Sequence, residues 1–176
     1  MRLTTEYVEL ADSLNDNIIE IINLSANHFD DNTMRQDTHD VHKGSKAVIL
    51  KFNTRLGIDN IFPVYDDYHE LLIPLMNKLS EIYGKYNIEK LMIAKLPPGV
   101  STKRHQDSAF IMHQVHRIHW CLMTNDKVDF NIGVKRVPFE VGKLFDISNI
   151  GYNGHEVLNN GVTDRLHLII DINVIR

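Results

Sequence analysis

The sequence predicts a mostly β fold: a double-stranded β-helix, or jelly roll, with N-terminal helices packed on one of its sheets. Helical spacing of apolar residues is confined to the part before Gly84, and after it come short β-rich runs separated by turn residues. The final run adds a strict alternation, with Leu166, Leu168, Ile170 and Ile172 on one face and Arg165, His167, Ile169 and Asp171 on the other. With helices first and strands after, the simplest packing lays the helices over one apolar sheet face. The chain of 176 residues reads as a single domain, residues 1–176, with a helical part containing one strand at 1–86 and the jelly-roll core at 87–176.

Taken in order, Ser13 offers an N-cap with Asp16 at the third helical position, and Leu14, Ile18, Ile21 and Ile22 follow at helical spacing to a helix end near Ala26. Residues Asn27 to Lys46 have no sustained period and read as a loop able to serve as a lid. Ala47 to Phe52 is a short apolar strand. From Tyr68, the residues Leu71, Leu72, Leu75, Met76, Leu79, Ile82 and Tyr83 give the clearest helical stripe. Pro74 either kinks that helix or lies just inside its start, and Gly84 is a fitting stop. Strands are then expected at Ile88 to Leu96, Phe110 to Thr124, Val128 to Val134, Val137 to Val141, Lys143 to Ser148, His155 to Leu158 and Arg165 to Val174. Turns fall at Pro97-Pro98-Gly99, Asn125-Asp126, Gly142, Gly151 to Gly154 and Asn159-Asn160-Gly161.

Composition narrows the function. Nineteen Lys and Arg against 23 Asp and Glu give a net charge of -4, and the longest basic runs are the pairs Lys103-Arg104 and Lys135-Arg136, so a nucleic-acid partner is not expected. No stretch approaches a membrane span and no apolar leader opens the chain. The single cysteine, Cys121, rules out an internal disulfide and reads as a small buried residue of a cytoplasmic protein. Ten histidines are the unusual count and turn attention to metal chemistry.

A His-x-Asp triplet on an extended segment with a distant histidine can set two imidazoles and a carboxylate on one face of an iron ion. The triplet alone is weak, since about one is expected by chance at this composition, and two occur. His28-Phe29-Asp30 sits at a helix end and reads as an ordinary loop. His105-Gln106-Asp107 follows Pro97-Pro98-Gly99 into the β region, with His155 48 residues beyond Asp107 and Arg165 ten further on. An arginine on a final strand can offer a planar fork to a dicarboxylate. His113, His116 and His167 read as residues outside any metal set, and Trp120 as core.

Gly142-Lys143-Leu144-Phe145-Asp146-Ile147-Ser148, His155-Glu156-Val157, Asn159, Asp164-Arg165-Leu166 and Leu168-Ile169-Ile170-Asp171 resemble the C-terminal half of the aspartyl/asparaginyl β-hydroxylase family, which includes proline hydroxylases. The resemblance runs from about Ile88 to Ile172. It implies an oxygenase that uses iron(II), 2-oxoglutarate and O2, with His105, Asp107 and His155 as metal ligands and Arg165 on the distal carboxylate of 2-oxoglutarate. Arg117-Ile118-His119 matches a family Arg-x-His segment, which implies His119 beside the cosubstrate and Arg117 at the prime substrate. The match departs in an insertion of about three residues between His105 and Arg117, in Ala94 where a serine helps bind 2-oxoglutarate, and in Asp107 where animal β-hydroxylases carry glycine. The implied activity is hydroxylation of an amino acid, a peptide side chain or a related carboxylate-bearing small molecule, with succinate and CO2 released. The alternatives are a non-catalytic jelly-roll module that senses a ligand or metal, and a cupin-type enzyme without 2-oxoglutarate. Oligomeric state and prime substrate are not encoded in any motif.

Overall fold

The computed structural model describes residues 6–53, 59–107, 115–148 and 154–175. Two antiparallel sheets face each other. The strands are β1 (Tyr7–Ala11), β2 (Lys46–Phe52), β3 (Tyr86–Leu96), β4 (Ser101–His105), β5 (His116–Met123), β6 (Val128–Ile132), β7 (Lys135–Arg136), β8 (Leu144–Ile147), β9 (His155–Asn159) and β10 (Arg165–Val174). The larger sheet runs β1-β8-β5-β10-β3-β2 and the smaller β4-β9-β6-β7. The helices are α1 (Ile18–Ser25), α2 (Met34–Thr38), α3 (Tyr65–Tyr68) and α4 (Ile73–Tyr83), with a 3-10 turn at Asp40–His42.

Period two divides the work of the long central strands. Leu166, Leu168, Ile170 and Ile172 of β10, with Leu91 and Ile93 of β3 and Ile118 and Trp120 of β5, form the outer core with Ile18 and Ile21 of α1 and Leu75 and Leu79 of α4. The helices therefore cover the larger sheet, as the sequence predicts. Pro74 lies in the first turn of α4, where its missing N–H costs nothing, and Gly84 closes the helix at φ 72°. Trp120 is fully buried on that side, its indole N–H donating to the Leu14 carbonyl at 2.9 Å.

The opposite faces of the same strands look into the space between the sheets. On β10 these positions are Arg165, His167, Ile169 and Asp171, all buried. The polar face of the last strand is thus interior, and its alternation is not the mark of a solvated edge.

Four expectations need correction. The first helix starts at Ile18, after Asn17 in the left-handed region at φ 58°, so Ser13 and Asp16 lie ahead of it and do not cap it. The part before residue 87 contains two strands and not one, because β1 pairs with β8 as an edge of the larger sheet while β2 forms its other edge. The charged residue Glu9 and the exposed Val8 in β1 suit such an edge and hide its period from the sequence. Residues Val137 to Val141 form no strand, and the polar β4 stands where none was foreseen. Of the strand expected at Phe110 to Thr124, residues 116–123 form β5, and residues 108–114, His113 among them, lie outside the described residues.

Residues 27–46 are not a bare loop. They hold α2 and the 3-10 turn, and pack against the barrel. At Gly44 a Cβ would meet Val100 Cγ1 at 2.5 Å, so only glycine allows this approach to the β3–β4 turn.

Candidate active site

Antiparallel pairing of β4 with β9 puts His105 directly opposite His155, and their rings lie 4.2 Å apart between centroids. Asp107, two residues past His105, turns a carboxylate oxygen to within 3.8 Å of His105 Nε2. One donor atom from each of His105, Asp107 and His155 fits within 4.8 Å of the others. The three residues that the sequence singles out for a metal therefore converge.

The donor chemistry suits a cation. His105 Nδ1 lies 2.8 Å from the Lys103 carbonyl, which can only accept, so Nδ1 is the donor and Nε2 is the nitrogen turned toward Asp107. His155 is buried, and its Nδ1 has no hydrogen-bond partner among the described residues. Burial pushes the His155 pKa down to about 3, so the ring is neutral and able to ligate at physiological pH. For Asp107, burial works to raise the pKa, but Arg117, His155, Lys90 and His105 outweigh it and hold the carboxyl down at about 2. Two imidazoles and one carboxylate are the ligand set of open ferrous sites.

Arg117 links the two sheets. From β5 its Nε and Nη2 donate to the two oxygens of Asp171 at 2.7 and 2.6 Å, and its Nη1 donates to Asp107 Oδ2. Burial opposes the charge of Arg117, yet Asp107 and Asp171 raise its pKa above the ordinary value. This guanidinium, which the family resemblance puts at the prime substrate, is engaged here by carboxylates of the chain itself.

Further in, Arg165 is 5% exposed and has no carboxylate partner among the described residues. Its guanidinium carbon lies 5.3 Å from the centre of the Phe130 ring, and its Nη2 donates to His167 Nδ1 at 2.7 Å. Because arginine has only donors, His167 must accept at Nδ1 and carry its proton on Nε2. Among the described residues neither that Nε2 nor the Arg165 Nε, both buried, has a hydrogen-bond partner. Two unsatisfied N–H donors beside an uncompensated buried cation call for an anionic acceptor. His119, fully inside the barrel, has Nδ1 3.4 Å from His167 Nδ1 and completes the cluster. Phe130 spans the two regions, stacking on His155 at 6.0 Å and on His167 at 6.4 Å.

His167, which the sequence reading left without a role, thus touches Arg165; the i, i+2 spacing on an inward face was the available signal. His116 points to the helix side and hydrogen-bonds Asp146 at 2.6 Å, away from the cluster. The chance triplet is a surface feature, with His28 Nδ1 2.8 Å from Asp31 and Asp30 paired with Lys46 at 2.6 Å. Cys121 is buried, and burial pushes its thiol pKa up to about 12, so it stays a protonated apolar residue. Among the described residues no helix is long and apolar enough to cross a membrane.

The sequence profile of the aspartyl/asparaginyl β-hydroxylase family matches residues 62–174. No curated protein matches the sequence. Among solved structures, an oxidoreductase of the 2OG-Fe(II) oxygenase family from Burkholderia pseudomallei aligns with a TM-score of 0.70 at 13% identity, over 96% of this chain and 84% of that one. A viral collagen prolyl hydroxylase from Paramecium bursaria Chlorella virus-1, solved with 2OG, aligns at 0.58 and 12% identity over 98% of each chain. A Pseudomonas putida prolyl-4-hydroxylase aligns at 0.57 and 16% identity, over 98% of this chain and 95% of its own. At these identities the structural likeness establishes the double-stranded β-helix fold, and the profile, which covers well over half of the sequence, establishes the lineage. The chain belongs to the aspartyl/asparaginyl β-hydroxylase family, enzymes that use iron(II) and 2-oxoglutarate.

Proposed function

We propose that this protein, as one oxygenase domain, hydroxylates an amino acid, a peptide side chain or a related carboxylate-bearing small molecule. His105, Asp107 and His155 would hold the iron(II), and Arg165 would take the distal carboxylate of 2-oxoglutarate. The observation that carries this reading is Arg165: a buried guanidinium without a carboxylate partner among the described residues, on the same inward strand face as His167 and its unsatisfied Nε2. A buried charge left in that state is costly, and a bidentate carboxylate removes the cost. The lone cysteine agrees with a reducing, cytoplasmic setting.

Bound iron with 2-oxoglutarate and O2 supplies the oxidation, in which one oxygen atom enters a substrate C–H bond and the other enters succinate as CO2 leaves. The residues of the chain do the rest. The Asp107 carboxylate offsets part of the metal charge, and Arg117 fixes its orientation from the facing sheet. His105 is held in the Nε2-ligating tautomer by the Lys103 carbonyl. Neutral His119 lines the cosubstrate end, where burial and then Arg165 keep its pKa well below the ordinary value. Phe130, Phe139, Met92 and Ile169 give this interior apolar walls that exclude water.

The test is aerobic incubation with iron(II), 2-oxoglutarate and panels of free amino acids and peptides. Succinate formation together with the mass gain of one oxygen atom in a panel member supports the reading. Absence of any iron-dependent 2-oxoglutarate consumption overturns it.

A further inference from the structure

The wall facing the metal cluster carries an unbalanced row of charge. Lys90 of β3 and Arg117 of β5 flank Asp171 of β10 in register, so the three side chains lie side by side on the inward face, positive, negative, positive. Asp171 spends both oxygens on Arg117, and Arg117 reaches on to Asp107. Among the described residues the Lys90 ammonium therefore makes no ion pair, and it lies 5.4 Å from the centre of the Phe52 ring. A second cation with no ion pair among the described residues comes from above. Arg35, on α2, is half-buried, and its one side-chain hydrogen bond among the described residues goes from Nη1 to Ser45 Oγ at 2.9 Å.

These groups belong to one cluster. Arg35 lies within electrostatic range of Lys90, Arg117 and Asp107. The 3-10 turn that follows α2 sets the His42 ring 5.5 Å from that of His105. Burial, then Arg117, lowers the Lys90 pKa to about 8 and the Arg35 pKa to about 10, as expected for buried cations with no carboxylate partner among the described residues. Three cations thus share two carboxylates, and both carboxylates are already taken by Arg117. Arg35 also lies outside the residues that the family profile matches, so this half of the arrangement belongs to this chain's own N-terminal segment.

We propose that Arg35 and Lys90 together form the recognition site for a carboxylate of the prime substrate, at the mouth between α2 and the inward face of the larger sheet. The inference rests on reading His105, Asp107 and His155 as the iron centre, and it moves substrate recognition from Arg117 to its neighbours. Arg117 is then a positioning residue for Asp107, while Lys90 and Arg35 select for charge. A planar guanidinium and a point ammonium suit a carboxylate, which accepts two N–H donors of the guanidinium in its plane and the ammonium from the side. The site excludes a cationic group by repulsion.

The probes are free L-amino acids and short acidic peptides, each paired with its carboxamide, titrated by calorimetry into protein loaded with zinc(II) and 2-oxoglutarate. At least one acid should bind, and bind tenfold or more tightly than its amide. Lys90→Gln and Arg35→Gln should each remove tenfold or more of that preference while leaving 2-oxoglutarate affinity within about twofold, which also shows that the variants are folded. Arg35→Lys should keep part of it. The inference is overturned if no acid binds more tightly than its amide, or if both variants keep the wild-type preference. Failure of the wild-type protein to bind 2-oxoglutarate at all would instead overturn the reading of the iron centre.

Discussion

Arg117 and Asp171 face each other across the central strands β5 and β10 and share two hydrogen bonds, of 2.7 and 2.6 Å, inside the barrel. The pair anchors the guanidinium that reaches Asp107, so the orientation of one candidate iron ligand is set from the opposite sheet.

Asp171→Asn should leave Arg117 half-paired in a buried place and destabilise the fold by about 3 kcal/mol or more. Arg117→Met should cost a similar amount, because Asp171 and Asp107 both lose their hydrogen bonds to the guanidinium. The double variant should cost clearly less than the sum, with a coupling on the order of 2 kcal/mol, measured by urea denaturation. Additive losses would mean that the pair is not coupled.

Arg165→Met separates stability from function. Replacing an uncompensated buried cation by an apolar side chain of similar length should leave the ligand-free fold unchanged, or stabilise it by up to about 2 kcal/mol. The same change should weaken 2-oxoglutarate binding by roughly a hundredfold, about 3 kcal/mol. Thermal melting with and without 2-oxoglutarate reads both. An unchanged 2-oxoglutarate-induced shift in the variant would remove Arg165 from the cosubstrate site.

Acid should unfold the metal-free protein early. His119 and His167 are pushed well below the ordinary histidine pKa by burial, then chiefly by Arg165 and, for His167, also by His119, and His155 falls to about 3 from burial. Their folded-state values lie under the unfolded value of about 6.5, so below that pH the unfolded chain binds more protons. Stability is therefore full above about pH 6.5 and is lost as the pH falls, each histidine adding a slope approaching about 1.4 kcal/mol per pH unit. Asp107 acts separately and at lower pH, since, against burial, Arg117 and the other charges around it hold its folded-state carboxyl down at about 2. Denaturation midpoints at successive pH values check this, and His167→Asn should flatten the slope. A flat profile from pH 7 to 5 would contradict the neutral buried state.

The legible parts of the fold are those where side-chain period coincides with burial. Leu166 to Ile172 alternate because one face meets helices and the other an interior polar site, and the stripe from Leu71 to Tyr83 marks α4 for the same reason. His105, Asp107, His155 and Arg165 were legible as an ordered set, and strand register brings the first three together. β4 was not legible, because Ser101-Thr102-Lys103-Arg104-His105 is polar and owes its strand to pairing with β9. Lys90 was hidden by sequence that reads equally well as a solvated strand position; only its register with Asp171 shows that it faces inward. Arg35 was hidden for a different reason: it sits in an aperiodic segment whose docking depends on a close approach at Gly44.

The central claim is that His105, Asp107 and His155 make one iron(II) site through which 2-oxoglutarate binds next to Arg165. Anaerobic titration of the metal-free protein with iron(II), followed by 2-oxoglutarate, tests it most directly. The account predicts one iron per chain, 2-oxoglutarate binding that depends on that iron, and a loss of at least about tenfold in iron affinity for Asp107→Ala but none for Asp30→Ala. Near-normal iron affinity in Asp107→Ala would make the site a two-histidine one, and 2-oxoglutarate binding that ignores iron would contradict the claim outright.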